Sequence, residues 1–150
     1  VHCPLFGRAQ WHRHRMWSYN EISRRYTSID VEFYVPQEVH EQAEDNRQAS
    51  ISGAAIDQET CRSLIAEQNE VAFAAYNRLL DMGVCREQAR GVLPQNMMTT
   101  FWGTVDLHNL ISFISLRDSE HAQWEIRQYA AAIKELVRPH LPNVAHVMGW

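Results

Sequence analysis

The stretch MMTTFWGTVDLHNLISFISLR, residues 97–117, divides at Val105. Residues 97–105 read as a strand, with Thr, Phe, Trp and Val prominent among them. Beyond them Leu107, Leu110, Ile111 and Ile114 recur at helical spacing, so a helix follows. A second strong helix is expected over 121–138, with Ile126, Tyr129, Ala130, Ile133 and Val137 on one face and Pro139 at its end. Upstream, Leu64, Ile65, Ala72, Ala75, Tyr76 and Leu79 mark a long helix from about Glu59 to Met82, with Gly83 as its stop. A shorter helix, REQARGVL, leads to Pro94. Before these, a helix is expected from Pro4 to about Arg15, with Pro4 near its first turn. Extended chain is expected from Tyr19 and again over DVEFYVP (30–36), and a polar surface loop or flap over 37–58. The pattern predicts one helix-rich α/β (α+β) domain over 1–150 with a mixed sheet.

Composition narrows the function classes. No apolar run reaches membrane-spanning length, and the opening VHCPLFGRAQ lacks the apolar stretch of a signal peptide. A cytoplasmic protein with no membrane partner is expected. Cys3, Cys61 and Cys85 are odd in number and widely spaced, which disfavours a disulfide framework or a zinc knuckle.

Charge is distributed unevenly. The net charge is −4, yet residues 1–30 hold five arginines against Glu21 and Asp30, a balance of +3 that leaves −7 for the remainder. Most of these arginines fall in WHRHRMWSYNEISRRY (11–26). Like charges repel, so folding alone does not gather them, whereas an anionic ligand does. Arginine also suits two-pronged contacts to phosphate or carboxylate. If residues 20–26 are extended, the two-residue repeat puts Glu21, Ser23 and Arg25 on one side. A hydroxyl and a guanidinium there can share a phosphate, and Glu21 can accept from a sugar hydroxyl or pin a neighbouring arginine. The competing reading is a solvated basic edge.

Other readings of the same residues are weaker. His12 and His14 would share a face on a strand, but the arginines around them oppose a cation, so no metal is expected. RHRHR between Trp11 and Trp17 mixes basic and aromatic groups as single-strand binders do, yet the chain is acidic overall, so no nucleic acid is expected. Arg90 and Arg117 sit in apolar surroundings, where a helix C-terminal charge is the plain explanation. His121 and Glu125, four apart, suit a structural hydrogen bond.

Arg13-His14-Arg15, seven residues, then Ser23 resembles the signature of the flavin-dependent thymidylate synthases. PLFGRAQWHRHRMWSYNEISRRY around it is similar to the family's segment, as are EFYVP, REQARGVLP and LRDSEHAQWEIRQYA, in the family's order from residue 4 to about 130. The resemblance implies a homotetramer of α/β subunits with FAD between chains. It implies conversion of dUMP to dTMP, with 5,10-methylenetetrahydrofolate as carbon donor and NADPH as reductant, and without the cysteine nucleophile of the other thymidylate synthases. Carried over, Gln10, Arg13, Glu21, Ser23, Arg24, Arg25 and Arg90 lie around dUMP, with Ser23, Arg25 and Arg90 at its phosphate. Arg13, His14, Arg15 and Glu21 also line the FAD site. Arg117 matches the catalytic arginine that contacts the uracil and favours ionisation at N3, which raises electron density at C5. The rival class is a non-catalytic nucleotide- or flavin-binding module, or an inactive fragment of the same fold.

This sequence departs from the family pattern in places. Position 24, often small in the family, is Arg24, so a backbone contact is expected there. The Val-Ala-Arg common before the Gln-Trp pair is Gly7-Arg8-Ala9. The later flavin-contacting segment, with Asn and Arg in many members, has Asp106 and His108 here, and Ser112 follows one turn on. The resemblance further implies that a strand–helix unit and a histidine-containing motif that help hold FAD precede residue 1, and that residues 1–150 alone bind flavin weakly.

Overall fold

A computed structural model describes residues 1–23, 25–26, 31–43 and 50–150, and Arg24 lies outside them. The centre of the fold is the strand read at 97–105, observed as β5 (Met98–Thr104). It is flanked by β1 (His2–Pro4) and β2 (Ser18–Glu21) in the order β1-β5-β2. Both pairings are antiparallel, with Cys3 opposite Thr99 and Glu21 opposite Phe101. No parallel pair occurs among the described residues, so the expected mixed sheet is replaced by an antiparallel one. The reason is topological: β1 and β2 run the same way but never touch, because β5 lies between them.

The expected helix over 4–15 is shorter and begins with a strand. Pro4 ends β1 and caps α1 (Leu5–Trp11) from an extended conformation. The first helical N–H groups are satisfied from the β5 approach, Leu5 N donating to Met97 O at 3.0 Å and Phe6 N to Gln95 O at 3.3 Å. Residues 32–34 return to the β2 flank of β5: Met98 N donates to Glu32 O and Tyr34 N to Asn96 O. DVEFYVP thus contributes one bridge, Phe33 to Met97, rather than a full strand, and Asp30 lies outside the described residues.

Within the expected flap, β3 (Glu41–Gln42) and β4 (Ser50–Ile51) pair as a short ladder. The Gln58 side chain pins its base, accepting from Val39 N at 2.7 Å and donating to Val39 O and Gly53 O at 2.9 Å. A side chain at residue 53 would collide with Val39 O, 1.8 Å from the Cβ it would carry, so only glycine fits. Asp57 caps α2 (Gln58–Asp81), and Gly83 ends its last turn at φ +87°. The helix buries only Asn69 and Tyr76 and leaves Leu64 and Val71 56% and 57% exposed.

After α3 (Arg86–Ala89) and a 3₁₀ turn at Arg90–Val92, β5 leads into α4 (Leu107–Arg117) and α5 (Trp124–Val137). The α5 face is the expected one: Ile126 and Ala130 are buried, with Tyr129, Ile133 and Val137 packed against the core. His121 falls before α5 rather than on it, its Nε2 3.9 Å from Glu120, so His121 and Glu125 do not share a helical turn. Pro139 does end α5, but a further helix, α6 (Pro142–Met148), follows a 3₁₀ turn. The core gathers Trp11, Trp17, Phe101, Phe113, Ile114, Ile126, Ala130 and Cys3. Among the described residues no helix is long and apolar enough to cross a membrane.

Candidate functional site: an arginine-lined cleft and a half-buried arginine–histidine pair

The turn between α1 and β2 carries the arginine-histidine motif. It is held by Tyr19, whose hydroxyl lies 3.0 Å from both Trp11 O and His14 O and shares its single proton between them. Burial pushes the Tyr19 phenol up to about 12, so it stays a donor across the physiological range. Arg13 and Arg15 face outward from this turn, and neither forms an ion pair among the described residues.

Arg117, the last residue of α4, turns inward to meet the same turn. Its Nε donates to His14 Nε2 at 3.0 Å and its Nη2 to Gln10 O at 3.1 Å. Gln10 continues the network by donating to Gln123. A nitrogen that accepts from arginine is unprotonated, so His14 is neutral with its proton on Nδ1. Burial, then the neighbouring Arg117 charge, holds His14 below the ordinary histidine value.

That depression has a direction in pH. Neutral His14 favours the folded chain, so its contribution is complete above the unfolded value of about 6.5 and is lost as pH falls through the lower folded value. His12 is shifted the same way, first by burial. The urea midpoint of the wild type is therefore expected to fall from pH 7.5 to 5.5. In His14→Gln the fall should be smaller; an equal fall in both proteins would locate the acid sensitivity elsewhere.

A second group of the predicted residues lines a cleft of about 500 Å³. Glu21 and Ser23 enter it from the end of β2, and Arg90 from the 3₁₀ turn after α3. Arg25 stands beside it, its Nη2 3.2 Å from Glu87, which is itself in the cleft wall. The expected extended run 20–26 stops early. Arg25 N donates to Ser23 Oγ and Tyr26 N to Ser23 O, so the chain turns after Ser23 and Arg25 leaves the Glu21–Ser23 face.

The predicted residues therefore fall into two groups. Glu21, Ser23 and Arg90 share the cleft, with Arg25 at its side; Gln10, His14 and Arg117 form the other cluster, and none of these three lines the cleft. Asp106 and Ser112, expected at a flavin, are engaged within α4. Asp106 caps the helix by accepting from Asn109 N at 3.0 Å, and Asn109 lowers its pKa. Ser112 Oγ donates to His108 O at 3.1 Å, while His108 is exposed. Sequence reasoning missed Arg8, Glu87 and Thr99, which also line the cleft. No signal in the sequence marks them, because only the tertiary fold brings them to Glu21 and Ser23.

Fold and site together define a helix-rich α/β domain with an arginine-lined cleft beside a short antiparallel sheet. The family of thymidylate synthase complementing proteins matches residues 1–143, and the chain belongs to that family. It is 50% identical over 142 residues to a flavin-dependent thymidylate synthase of Thermus thermophilus, covering 95% of this chain and 52% of that protein. The flavin-dependent thymidylate synthase of Aquifex aeolicus is 45% identical over 138 residues, covering 91% and 44%. The chain thus spans about half the length of the curated relatives it matches. The crystal structure of the UMP/dUMP methylase PolB from Streptomyces cacaoi, bound with 5-Br UMP, superposes with a TM-score of 0.83 at 32% identity, covering 93% of this chain and 66% of that one.

Proposed function

We propose that this chain carries out flavin-dependent thymidylate synthesis, converting dUMP to dTMP with 5,10-methylenetetrahydrofolate as carbon donor and NADPH as reductant. The observation that carries the reading is the cleft in which Glu21, Ser23 and Arg90 meet from distant parts of the chain. Ser23 and Arg90, with Arg25 released from Glu87, hold the nucleotide phosphate through charge-assisted bonds. Arg117 meets the uracil, and Gln10, Arg13 and the backbone at residue 24 complete the substrate contacts. Because Gln10, His14 and Arg117 do not line the cleft, the active form is a homotetramer in which neighbouring copies complete each site. The exposed Leu64 and Val71 on α2 support such packing.

The residues present also fit FAD. Arg13 and Arg15 are outward guanidiniums without acidic partners among the described residues, suited to a pyrophosphate. His14, Glu21, Asp106, His108 and Ser112 complete the set that would hold it, with Asp106 and Ser112 acting through the first turns of α4. A flavin supplies hydride transfer there, and the protein supplies binding and charge.

The deciding experiment is tritium release from 5-labelled dUMP in the presence of FAD, methylenetetrahydrofolate and NADPH. Release above the no-enzyme control supports synthesis; dUMP binding without release identifies a non-catalytic module instead. Arg90→Ala tests the cleft in either case. Losing one charge-assisted phosphate contact, worth about 1.5–3 kcal/mol, should weaken dUMP roughly 10- to 150-fold by calorimetry. Affinity within twofold of wild type would remove Arg90 from the site.

A further inference from the structure

The cleft poses an electrostatic problem, because a pocket meant for an anion is walled in part by the Glu21 carboxylate. Its local counter-charge is Arg8, whose Nε lies 3.4 Å from Glu21 Oε1. The same oxygen accepts from the Thr99 hydroxyl at 2.7 Å. The other carboxylate oxygen makes no hydrogen bond among the described residues. One turn further along, His12 stacks on Tyr19 with ring centroids 4.1 Å apart. Arg8 Nε and His12 Nε2 are both buried and both lack a hydrogen-bond partner. Buried polar nitrogens are nearly always paired, so Arg8 Nε, held to Glu21 by charge at 3.4 Å without a hydrogen bond, calls for a cause. Burial lowers the His12 pKa, Arg8 lowers it further and Glu21 raises it, so the three groups sense one another.

We propose that Arg8 is a positioning residue for Glu21: with Thr99 it anchors one carboxylate oxygen and leaves the other as the acceptor for an O–H or N–H group of the bound nucleotide. Without that anchor, an incoming phosphate would repel Glu21 out of the cleft. This inference rests on the nucleotide reading of the cleft given above.

The test is a double-mutant cycle in dUMP binding, measured by calorimetry on the whole chain with Arg8→Gln, Glu21→Gln and the double variant. If Arg8 acts through Glu21, each single change weakens dUMP roughly tenfold and the double change adds no more than about twofold. Effects that multiply to roughly 100-fold would mean that Arg8 touches the ligand independently, and would overturn the proposal, as would Arg8→Gln within about twofold of wild type. All variants are checked by circular dichroism, and Arg8→Lys replaces Arg8→Gln if the latter does not fold. Should the wild type fail to bind dUMP, the proposed function falls, and the cluster is then read without ligand from the His12 titration by NMR. Arg8→Gln should raise its midpoint and Glu21→Gln lower it. A shift on Glu21→Gln that is the same with and without Arg8→Gln would overturn the Arg8–Glu21 coupling.

Discussion

On the proposed thymidylate synthesis, Arg117→Ala is expected to lower tritium release from 5-labelled dUMP roughly 10²- to 10³-fold, the usual effect of removing one preorganised donor from a developing negative charge. The geometry explains why the effect should be large. A guanidinium has five N–H donors. In Arg117 one goes to His14 and one to Gln10 O, so the plane is held while the remaining donors stay available for a ligand. Partial burial lowers its pKa from the ordinary arginine value, yet arginine keeps its charge there. A cation fixed in this way needs no rearrangement as charge builds on the pyrimidine. Arg117→Lys should rescue little, because a point charge on a flexible stem cannot bond His14 and Gln10 and also present a donor plane. Release that persists within threefold of wild type in Arg117→Ala would take the arginine out of the chemistry.

The same pair illustrates where sequence reasoning stops. His14 and Arg117 are 103 positions apart, and nothing in either segment announces their hydrogen bond. Only resemblance flags Arg117, since a cation at the end of α4 also satisfies the helix dipole. α5 is legible because its apolar period is strong and Pro139 follows it. β1 is not: three residues ending in proline look like a helix start, and only pairing with Thr99 and Thr100, far along the chain, makes them a strand. Period-two reasoning puts Arg25 wrongly on the Glu21 face because it assumes continued extension. Ser23 ends that extension by accepting the Arg25 N–H. Arg8 escapes a sequence reading for a related cause. It lies outside the family's usual spelling of its segment, and only the packing of α1 on β5, with which β2 pairs, brings it to Glu21.

Trp11→Ala is expected to destabilise the chain by about 3–5 kcal/mol, the range for emptying a buried tryptophan site. Trp11 is 1% exposed and joins three elements. Its ring stacks on Phe113 of α4 at 4.6 Å and meets Phe101 of β5 and Tyr129 of α5 edge-on at 5.3 and 5.9 Å. Trp17 closes the fourth side at 5.9 Å. Because small domains hold only about 5–15 kcal/mol in total, the loss should appear as a large drop in the urea midpoint. Trp11→Phe separates packing from hydrogen bonding. The indole Nε1 is buried without a partner, so phenylalanine removes an unpaired donor while keeping most of the contact area, and should cost less than about 1.5 kcal/mol. The alanine variant should also loosen the arginine–histidine turn, although the Trp11 carbonyl that accepts from Tyr19 survives the substitution. Phe113, which stacks on Trp11, also lies 4.9 Å from the His14 ring, so losing the indole removes the support on which His14 presents its Nε2 to Arg117. If Trp11→Ala and Trp11→Phe shift the midpoint equally, the aromatic cluster is not what joins the sheet to α4 and α5.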